Sequence, residues 1–453
     1  MRNLTLSSVA KAIKGELFCE ASVMNNEING AVIDSREIEK DYLFFAVKGQ
    51  RVDGHDFIDQ VYEKGALAVI SEKILDTDKP YILVKSSLEA LKLLAKYYRS
   101  TLDIPVVGIT GSVGKTSTKE FIASVLSEKY NVLKTEGNFN NEIGLPLTIL
   151  KIREEHEAAV LEMGISDFGE MTRLSDIAKP DICVITNIGV CHLENLGNRD
   201  GVLKAKTEMF ANAKENCEIV LNGDDDKLIT IQHYKDKPVH YFGTTPQNEV
   251  YAADVINYGI DGTNCNIHLN NTSFNVDIHI PGIHMVNNAL AATLVGNILG
   301  VSTESIRNGI EKLVDAAGRV NIIRRNYTII DDCYNANPVS MKASIDLLNT
   351  SVNRKIAVLG DMFELGENES RLHYEIGEYI ANTDIDFLFL SGELSKNILE
   401  GYINKKQKSD SANWFENVSD LIYNLKQFVV DQDTILVKAS HSMHYEEIVK
   451  ALS

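Results

Sequence analysis

The sequence predicts an α/β protein of three domains: a small N-terminal α/β domain, a central parallel-sheet domain with a phosphate loop and an antiparallel β insert, and a C-terminal Rossmann-like α/β domain. Three observations carry that expectation. The chain has 453 residues, more than one hydrophobic core organises. Apolar runs that read as buried parallel strands recur along it, each closing on a polar or glycine-rich loop. One of these runs leads directly into a glycine-rich loop and a helix.

Composition narrows the class. Hydrophobic residues make up 44% and charged residues 24%, the balance of a folded domain rather than a disordered chain. Forty-five basic and 64 acidic residues give a net charge of −19, which argues against a nucleic-acid binder because phosphates need a basic footprint. Anionic small ligands stay open, since a local cradle of backbone N–H groups works inside an acidic protein. The six cysteines (Cys19, Cys183, Cys191, Cys217, Cys265, Cys333) are scattered and none forms a C-x-x-C pair, so neither a zinc site nor a disulfide framework is expected. Lys11 and Lys14 interrupt the N-terminal apolar residues, and no stretch has the length of a membrane span. A cytoplasmic protein without membrane insertion, and a monomer, is the expectation.

Taken in order, residues 1–102 form the first predicted domain. Ser7 or Ser8 caps a short helix with Val9, Ala10 and Ile13 on its apolar face, ending at Gly15. DYLFFAVKG (41–49) reads as a buried strand, DGHDFIDQVYEKGA (53–66) as loop and helix, and LAVI (67–70) as the next strand. The segment 86–102 places Leu88, Leu91, Ala95, Tyr98 and Leu102 at helical spacing and stops before Pro105. The second domain, 103–315, carries the strand runs IPVVGIT, AAVLEMG, DICVITNIG and CEIVLNGDD. Between 240 and 281 the pattern changes to strict alternation (Cys265, Ile267, Leu269; Phe274, Val276, Ile278, Ile280), with Asp261-Gly262 as a turn between antiparallel strands. The third, 316–453, repeats the parallel pattern in YTIIDDCY, KIAVLGDM, DFLFLSGE and TILVKAS.

The strongest local signal is VVGITGSVGKTSTKEFIASVL (106–126). Gly111, Ser112, Val113, Gly114, Lys115, Thr116 and Ser117 link an apolar strand to a helix. Glycines let backbone N–H groups close on phosphate oxygens, the helix N-terminus adds partial positive charge, and Lys115 adds a full one. Thr116 is positioned to offer its hydroxyl to Mg²⁺. Ile109 occupies the position where the generic loop has its first glycine, so the match is to G-x-x-G-K-T only. A GTPase would carry an N/T-K-x-D base-recognition motif, which is absent. A small-molecule kinase gives no reason for a third α/β domain with its own polar clusters.

The segments around this loop resemble the Mur ligase family along the whole chain. In the central domain GITGSVGKTS, GNFNNEIG, LEMG, HLE and GIHMVNNALAA recur in family order. In the first domain, Asp34-Ser35-Arg36 and FFAVKGQRVDGHDF resemble the part of the family that holds a UDP-sugar. In the third, GRV (318–320), DDCYNANPVSM (331–341) and LGDMFELG (359–366) resemble the family, and the last two resemble its member that adds D-alanyl-D-alanine to UDP-N-acetylmuramoyl-tripeptide. The resemblance implies ATP-dependent amide-bond formation through an acyl phosphate, in the synthesis of a peptidoglycan precursor.

It also implies roles for individual residues. Lys115, His192 and Lys206 are the catalytic candidates. Thr116, Glu162, His192 and Lys206 are the candidates for holding two Mg²⁺ ions, with Lys206 carbamylated by CO₂. An ammonium beside magnesium is repelled, whereas a carbamate is attracted; Lys204 stands as a rival by position. Glu162 closes the run AAVLE and His192 follows DICVITNIG, so both lie at the carboxyl edge of a parallel sheet, where ligands bind in such folds. Asn288 and Arg319 are candidates for nucleotide contacts, although Asn287 and Asn288 also suit helix capping and Arg319 an interdomain pair. Ser35, Arg36, Asn138, Asn141, Asp332, Asn335 and Asn337 are the substrate candidates, the last three equally at home in a turn. His441 stands where the family commonly has an arginine, replacing a permanent charge with one that titrates. A nucleotide-binding module without turnover, or a sister ligase with another acceptor, are the competing readings.

Overall fold

The structure, a computed structural model, describes residues 4–49, 52–314, 320–407 and 410–453. Its strands fall into sheets of five, nine and six, with a further two-stranded pair. The five-stranded sheet runs Glu16–Phe18, Tyr81–Leu83, Ala68–Ser71, Tyr42–Phe45, Gly30–Val32, and only its first pair is antiparallel. The short helix Leu6–Ile13 packs beside it. Its cap is Thr5, not Ser7 or Ser8, and the Thr5 N–H donates to the Ser8 hydroxyl oxygen to close a capping box. Lys14, rather than Gly15, takes the left-handed position at the helix end.

The helix Ser87–Ser100 ties this unit to the next. The buried guanidinium of Arg99 donates to the carbonyls of Ala178, Lys179 and Leu102 and pairs with Asp181 at 3.0 Å. Tyr98 donates to the Ile152 carbonyl at 2.7 Å. A buried arginine with every fork occupied fixes the joint more firmly than a surface ion pair would.

In the nine-stranded sheet, seven parallel strands run Val132–Lys134, Ala158–Glu162, Val106–Thr110, Ile182–Ile185, Glu218–Asn222, His240–Gly243, Val250–Asn257. Thr263–Leu269 and Thr272–Ile278 then continue the same sheet antiparallel. The alternating segment therefore extends the central sheet rather than forming a body of its own. Cys265, Ile267 and Leu269 point into one core with the helix Met285–Ile298. Asp261-Gly262 makes the expected turn, and Gly262 at φ 106° leaves no room for a side chain against the Ile278 carbonyl.

The six-stranded sheet runs Asn321–Arg324, Thr328–Asp331, Thr434–Lys438, Lys355–Leu359, Phe387–Ser391, Ala412–Phe415, parallel apart from its first pair. On one face the helices Glu369–Ala381 and Ser395–Lys406 meet through paired glycines. A Cβ on Gly377 would lie 2.0 Å from the Ile398 carbonyl oxygen, and one on Gly401 2.2 Å from that of Tyr374. Backbone cannot yield there as a flexible side chain would. Gly377→Ala is expected to destabilise the protein by about 1–3 kcal/mol despite alanine's better helix propensity, read as a lower urea midpoint.

Candidate active site

The strand Val106–Thr110 lies between Ala158–Glu162 and Ile182–Ile185 in the nine-stranded sheet and delivers the phosphate loop at its carboxyl edge. Gly114, at φ 81°, turns the chain into the helix Lys115–Leu126. The loop is held from beneath by the segment that follows Ile182–Ile185. The Val113 carbonyl accepts from the Thr186 hydroxyl at 2.6 Å and from Asn187 Nδ2 at 2.9 Å. The Asn187 carbonyl and Oδ1 accept from the Ser112 and Val113 N–H groups at 3.1 and 3.0 Å. The Ser112 hydroxyl accepts from the Gly189 N–H at 2.8 Å and lies 3.2 Å from Cys191 Sγ. A Cβ on Gly111 would stand 1.8 Å from Thr186 Oγ1, so only glycine lets the loop approach this segment.

Lys115 folds back so that its ammonium donates to the Gly111 carbonyl at 2.9 Å. Thr116 and Ser117 are buried in the first turn. The Thr116 hydroxyl donates to Glu162 Oε2 at 2.9 Å, and Asn140 Nδ2 donates to Oε1 at 2.8 Å. The Glu162 N–H is in turn fixed by Thr135 Oγ1 at 2.9 Å. Glu162 is only 1% exposed, yet among the described residues no basic side chain lies within ion-pair distance of it. Asn288 packs over the loop: its Oδ1 accepts from Thr118 at 2.9 Å and would lie 3.3 Å from a Cβ on Gly114.

His192 begins the short helix Leu193–Leu196 in a left-handed conformation, φ 50°. Its Nδ1 lies 3.0 Å from Glu364 Oε2, a carboxylate carried by the third sheet's unit. Burial holds the imidazole below its ordinary value; Glu364 opposes that shift, and the charges of Lys206 and Lys115 add to it. Lys206, in the helix Arg199–Thr207, is 2% exposed, and no hydrogen bond or carboxylate meets its ammonium among the described residues. Burial lowers its pKa to about 8, with Lys115 pushing the same way and Cys191 opposing. Lys204 lies exposed, over the ring of Phe168.

Comparison with known proteins agrees with this arrangement along the entire chain. Models of the Mur ligase family, catalytic domain, the Mur ligase middle domain and the Mur ligase, glutamate ligase domain match residues 27–99, 109–296 and 318–441. The UDP-N-acetylmuramoyl-tripeptide–D-alanyl-D-alanine ligase of Bacillus subtilis is 40% identical over 456 residues, covering 99% of this chain and 98% of that protein. This chain belongs to the Mur ligase family. Among solved structures, MurF from Acinetobacter baumannii superposes with a TM-score of 0.91 at 31% identity, over 99% of this chain and 98% of that one. MurF ligase from Thermotoga maritima in complex with ADP gives 0.82 at 32% identity, over 93% and 96%.

The remaining candidates of this Mur ligase have structural partners. Arg36 is exposed and forks onto its neighbour Asp34, whose carboxyl it holds down at about 2, while the Ser35 carbonyl accepts from Lys64. Asn138 is exposed, and Asn141 Oδ1 accepts from the Ile143 and Gly144 N–H groups at the start of the helix Gly144–Leu150. Asp332 is buried against Lys438 at 2.6 Å and also accepts from the Ser344 hydroxyl. The Asn335 carbonyl takes a second Lys438 bond at 2.9 Å, and Asn337 caps the helix Pro338–Asn349. His441 is exposed, its ring 6.0 Å from that of Tyr334. Arg319 lies outside the described residues.

Sequence reasoning passed over Asn140, Thr186 and Asn187. Asn140 sits inside the quoted GNFNNEIG between two residues that were chosen. Thr186 and Asn187 have the same strand-end placement that singled out Glu162. The seam between the central and third units encloses a cavity of about 310 Å³ lined by residues including Ile283, His284, Val339 and Lys342.

The bare ammonium of Lys206 weakens the ligand-free fold. Its folded pKa lies below the unfolded value, so its penalty is full below about pH 8 and disappears as pH rises past 10.5. Lys206→Met is expected to raise the denaturant midpoint of metal- and nucleotide-free protein at pH 7. The gain, up to about 3 kcal/mol, should shrink as the pH is raised through that window.

Proposed function

We propose that this chain is an ATP-dependent ligase that joins D-alanyl-D-alanine to UDP-N-acetylmuramoyl-tripeptide, giving UDP-N-acetylmuramoyl-pentapeptide, ADP and phosphate. The observation that carries the reading is a pair of buried side chains around one phosphate loop, the Glu162 carboxyl and the Lys206 ammonium, neither of which has an ion-pair partner among the described residues. The full-length likeness to dipeptide-adding ligases supports the choice of acceptor. The loop N–H groups and Lys115 take the phosphates of ATP, with Asn288 and Arg319 contacting the nucleotide. Among the described residues, Thr110 Oγ1 and Asn287 Oδ1, in the residues just before Gly111 and Asn288, are buried without a hydrogen-bond partner.

Joining a carboxylate to an amine in water is uphill. The tripeptide carboxylate is therefore activated as an acyl phosphate, which the amine of the dipeptide attacks to release phosphate. The transfer needs positioning and charge neutralisation more than covalent help. Thr116 and Glu162 offer two hard oxygens within hydrogen-bond distance of one another, a fit for Mg²⁺, which uses few protein ligands and keeps several waters. Among the described residues no cluster of three or more His, Cys, Asp or Glu is present, in keeping with so small a protein contribution. A second ion fits His192 and Lys206 only once the lysine is a carbamate, and a pKa of about 8 leaves a fraction of neutral amine to react with CO₂. Magnesium there supplies charge neutralisation at the transferred phosphoryl group.

The division into units at 1–102, 103–315 and 316–453, serving UDP-sugar, ATP and acceptor in turn, is supported by each large sheet lying within one of them. Ser35, Arg36, Asn138 and Asn141 are assigned to the UDP-substrate side, and Asp332, Asn335 and Asn337 to the acceptor side. No helix among the described residues is long and apolar enough to cross a membrane. A monomer acting in the cytoplasm, where ATP is supplied and thiols stay reduced, completes the reading.

Phosphate release from ATP and Mg²⁺ is expected only when both UDP-N-acetylmuramoyl-tripeptide and D-alanyl-D-alanine are present, with the pentapeptide product formed in step. Release with a single amino acid in place of the dipeptide would move the chain to a sister ligase, and nucleotide binding without turnover would make it a binding module. Lys206→Ala is expected to lose at least about a hundredfold in turnover and to regain part of it with small carboxylates such as formate. A fully active Lys206→Ala would remove the carbamate from the mechanism.

A further inference from the structure

The contact between His192 and Glu364 crosses from the central unit to the third, and Glu364 is the carboxylate of that unit that meets a candidate catalytic residue. Resting on the ligase reading above, we infer that Glu364 holds the ammonium group of the incoming dipeptide beside the acyl-phosphate carbonyl. The amine attacks that carbonyl after losing a proton to water, the amide bond forming as phosphate leaves.

Glu364 is presented from a rigid mount. It follows the strand Lys355–Leu359 in a loop whose Met362 N–H donates to His373 Nε2 at 2.9 Å and whose Phe363 N–H donates to Ser440 Oγ at 3.0 Å. Met362 and Leu365 are buried on either side. Glu364 itself is left-handed at φ 63°, a conformation that side chains disfavour, as is its partner His192 at φ 50°. These two residues face each other across the seam. Gly366 brings the same loop against the backbone of Glu194, 3.5 Å from where its Cβ would be.

The carboxylate has capacity to spare. Its side chain is 67% exposed, and among the described residues only Oε2 has a partner. The nearby central-unit groups include Lys115, whose charge acts on His192 and which, unlike Lys206, stays cationic in the proposed ligase. A free ammonium approaching such a surface is repelled unless an anion meets it. The attacking amine must also be held within about 3–3.5 Å of the carbonyl carbon for a productive geometry. A carboxylate fixed on the acceptor-side unit and projecting over the phosphate-loop edge meets both needs.

A mere latch between the units and an ammonium-holding residue differ in what their loss does. Steady-state kinetics of Glu364→Gln, with each substrate varied in turn, separates them. The KM for D-alanyl-D-alanine is expected to rise about ten- to hundredfold, the weight of one charge-assisted hydrogen bond, with the other two KM values changed by less than about twofold. Acyl phosphate formation without dipeptide, trapped as the hydroxamate by hydroxylamine, should continue at the wild-type rate, and Glu364→Asp should recover part of the loss. An unchanged dipeptide KM overturns the inference, as does an equal rise for all three substrates or loss of the hydroxamate. Absence of dipeptide-dependent turnover in the wild-type protein would instead overturn the ligase reading itself, and this inference with it.

Discussion

The seam between the phosphate loop and the strand end at Thr186–Asn187 is the constraint on which the site depends. Four hydrogen bonds join Ser112 and Val113 to these two residues, and Gly111 is pressed so close to Thr186 that no side chain fits. A loop free to move would lose on ordering much of what its contacts gain on binding. This one is already ordered, so Lys115 and Thr116 start their helix at a set place. The same strand end continues into Gly189, Cys191 and His192. One seam thus sets the register of the phosphate loop and of the histidine that meets the third unit. Val339 of that unit in turn lies 3.6 Å from where a Cβ on Gly189 would be.

Much of this was legible in residue order because parallel strands buried on both faces advertise themselves. Val106–Thr110, Ala158–Glu162, Lys355–Leu359 and Thr434–Lys438 all lie within the apolar runs that predicted them. The alternating segment was legible as antiparallel strands, but not as a continuation of the main sheet. Alternation reports which face is buried and is silent about which edge a strand joins. Short edge strands such as Asn321–Arg324 and Ala412–Phe415 carry too few residues for any period to show. At the site, Lys115, Thr116 and Glu162 stand out by motif or by strand-end position. Thr186, Asn187 and Glu364 act through contacts between segments far apart in the chain, which no local pattern encodes. The Thr5 cap was missed because three adjacent hydroxyl-bearing choices differ only in where the backbone leaves the helix.

Three buried lysines show how environment assigns different work to one residue type. Lys119 donates to the Thr135 carbonyl at 2.7 Å and pairs with Glu120 at 3.1 Å, bracing the segment that holds the Glu162 backbone. Lys438 pairs with Asp332 and binds the Asn335 carbonyl, closing the polar turn before the helix Pro338–Asn349. Each of these charges is matched where it is buried, which is the condition for keeping an ion inside a fold. Lys206, at 2% exposed, has no such match among the described residues. Evolving an apolar residue at that position would relieve the penalty, so the retained amine points to a demand that the ligand-free fold does not reveal. The carbamate proposed above would invert its sign and set an anion beside Lys115. Glu162 is likewise buried, with hydroxyl and amide partners and no basic side chain within ion-pair distance among the described residues. On the ligase reading proposed above, a cation at Glu162 and a carbamate at Lys206 would give both groups what they lack in the ligand-free protein. Binding is thereby coupled to the relief of charges that folding alone leaves uncompensated.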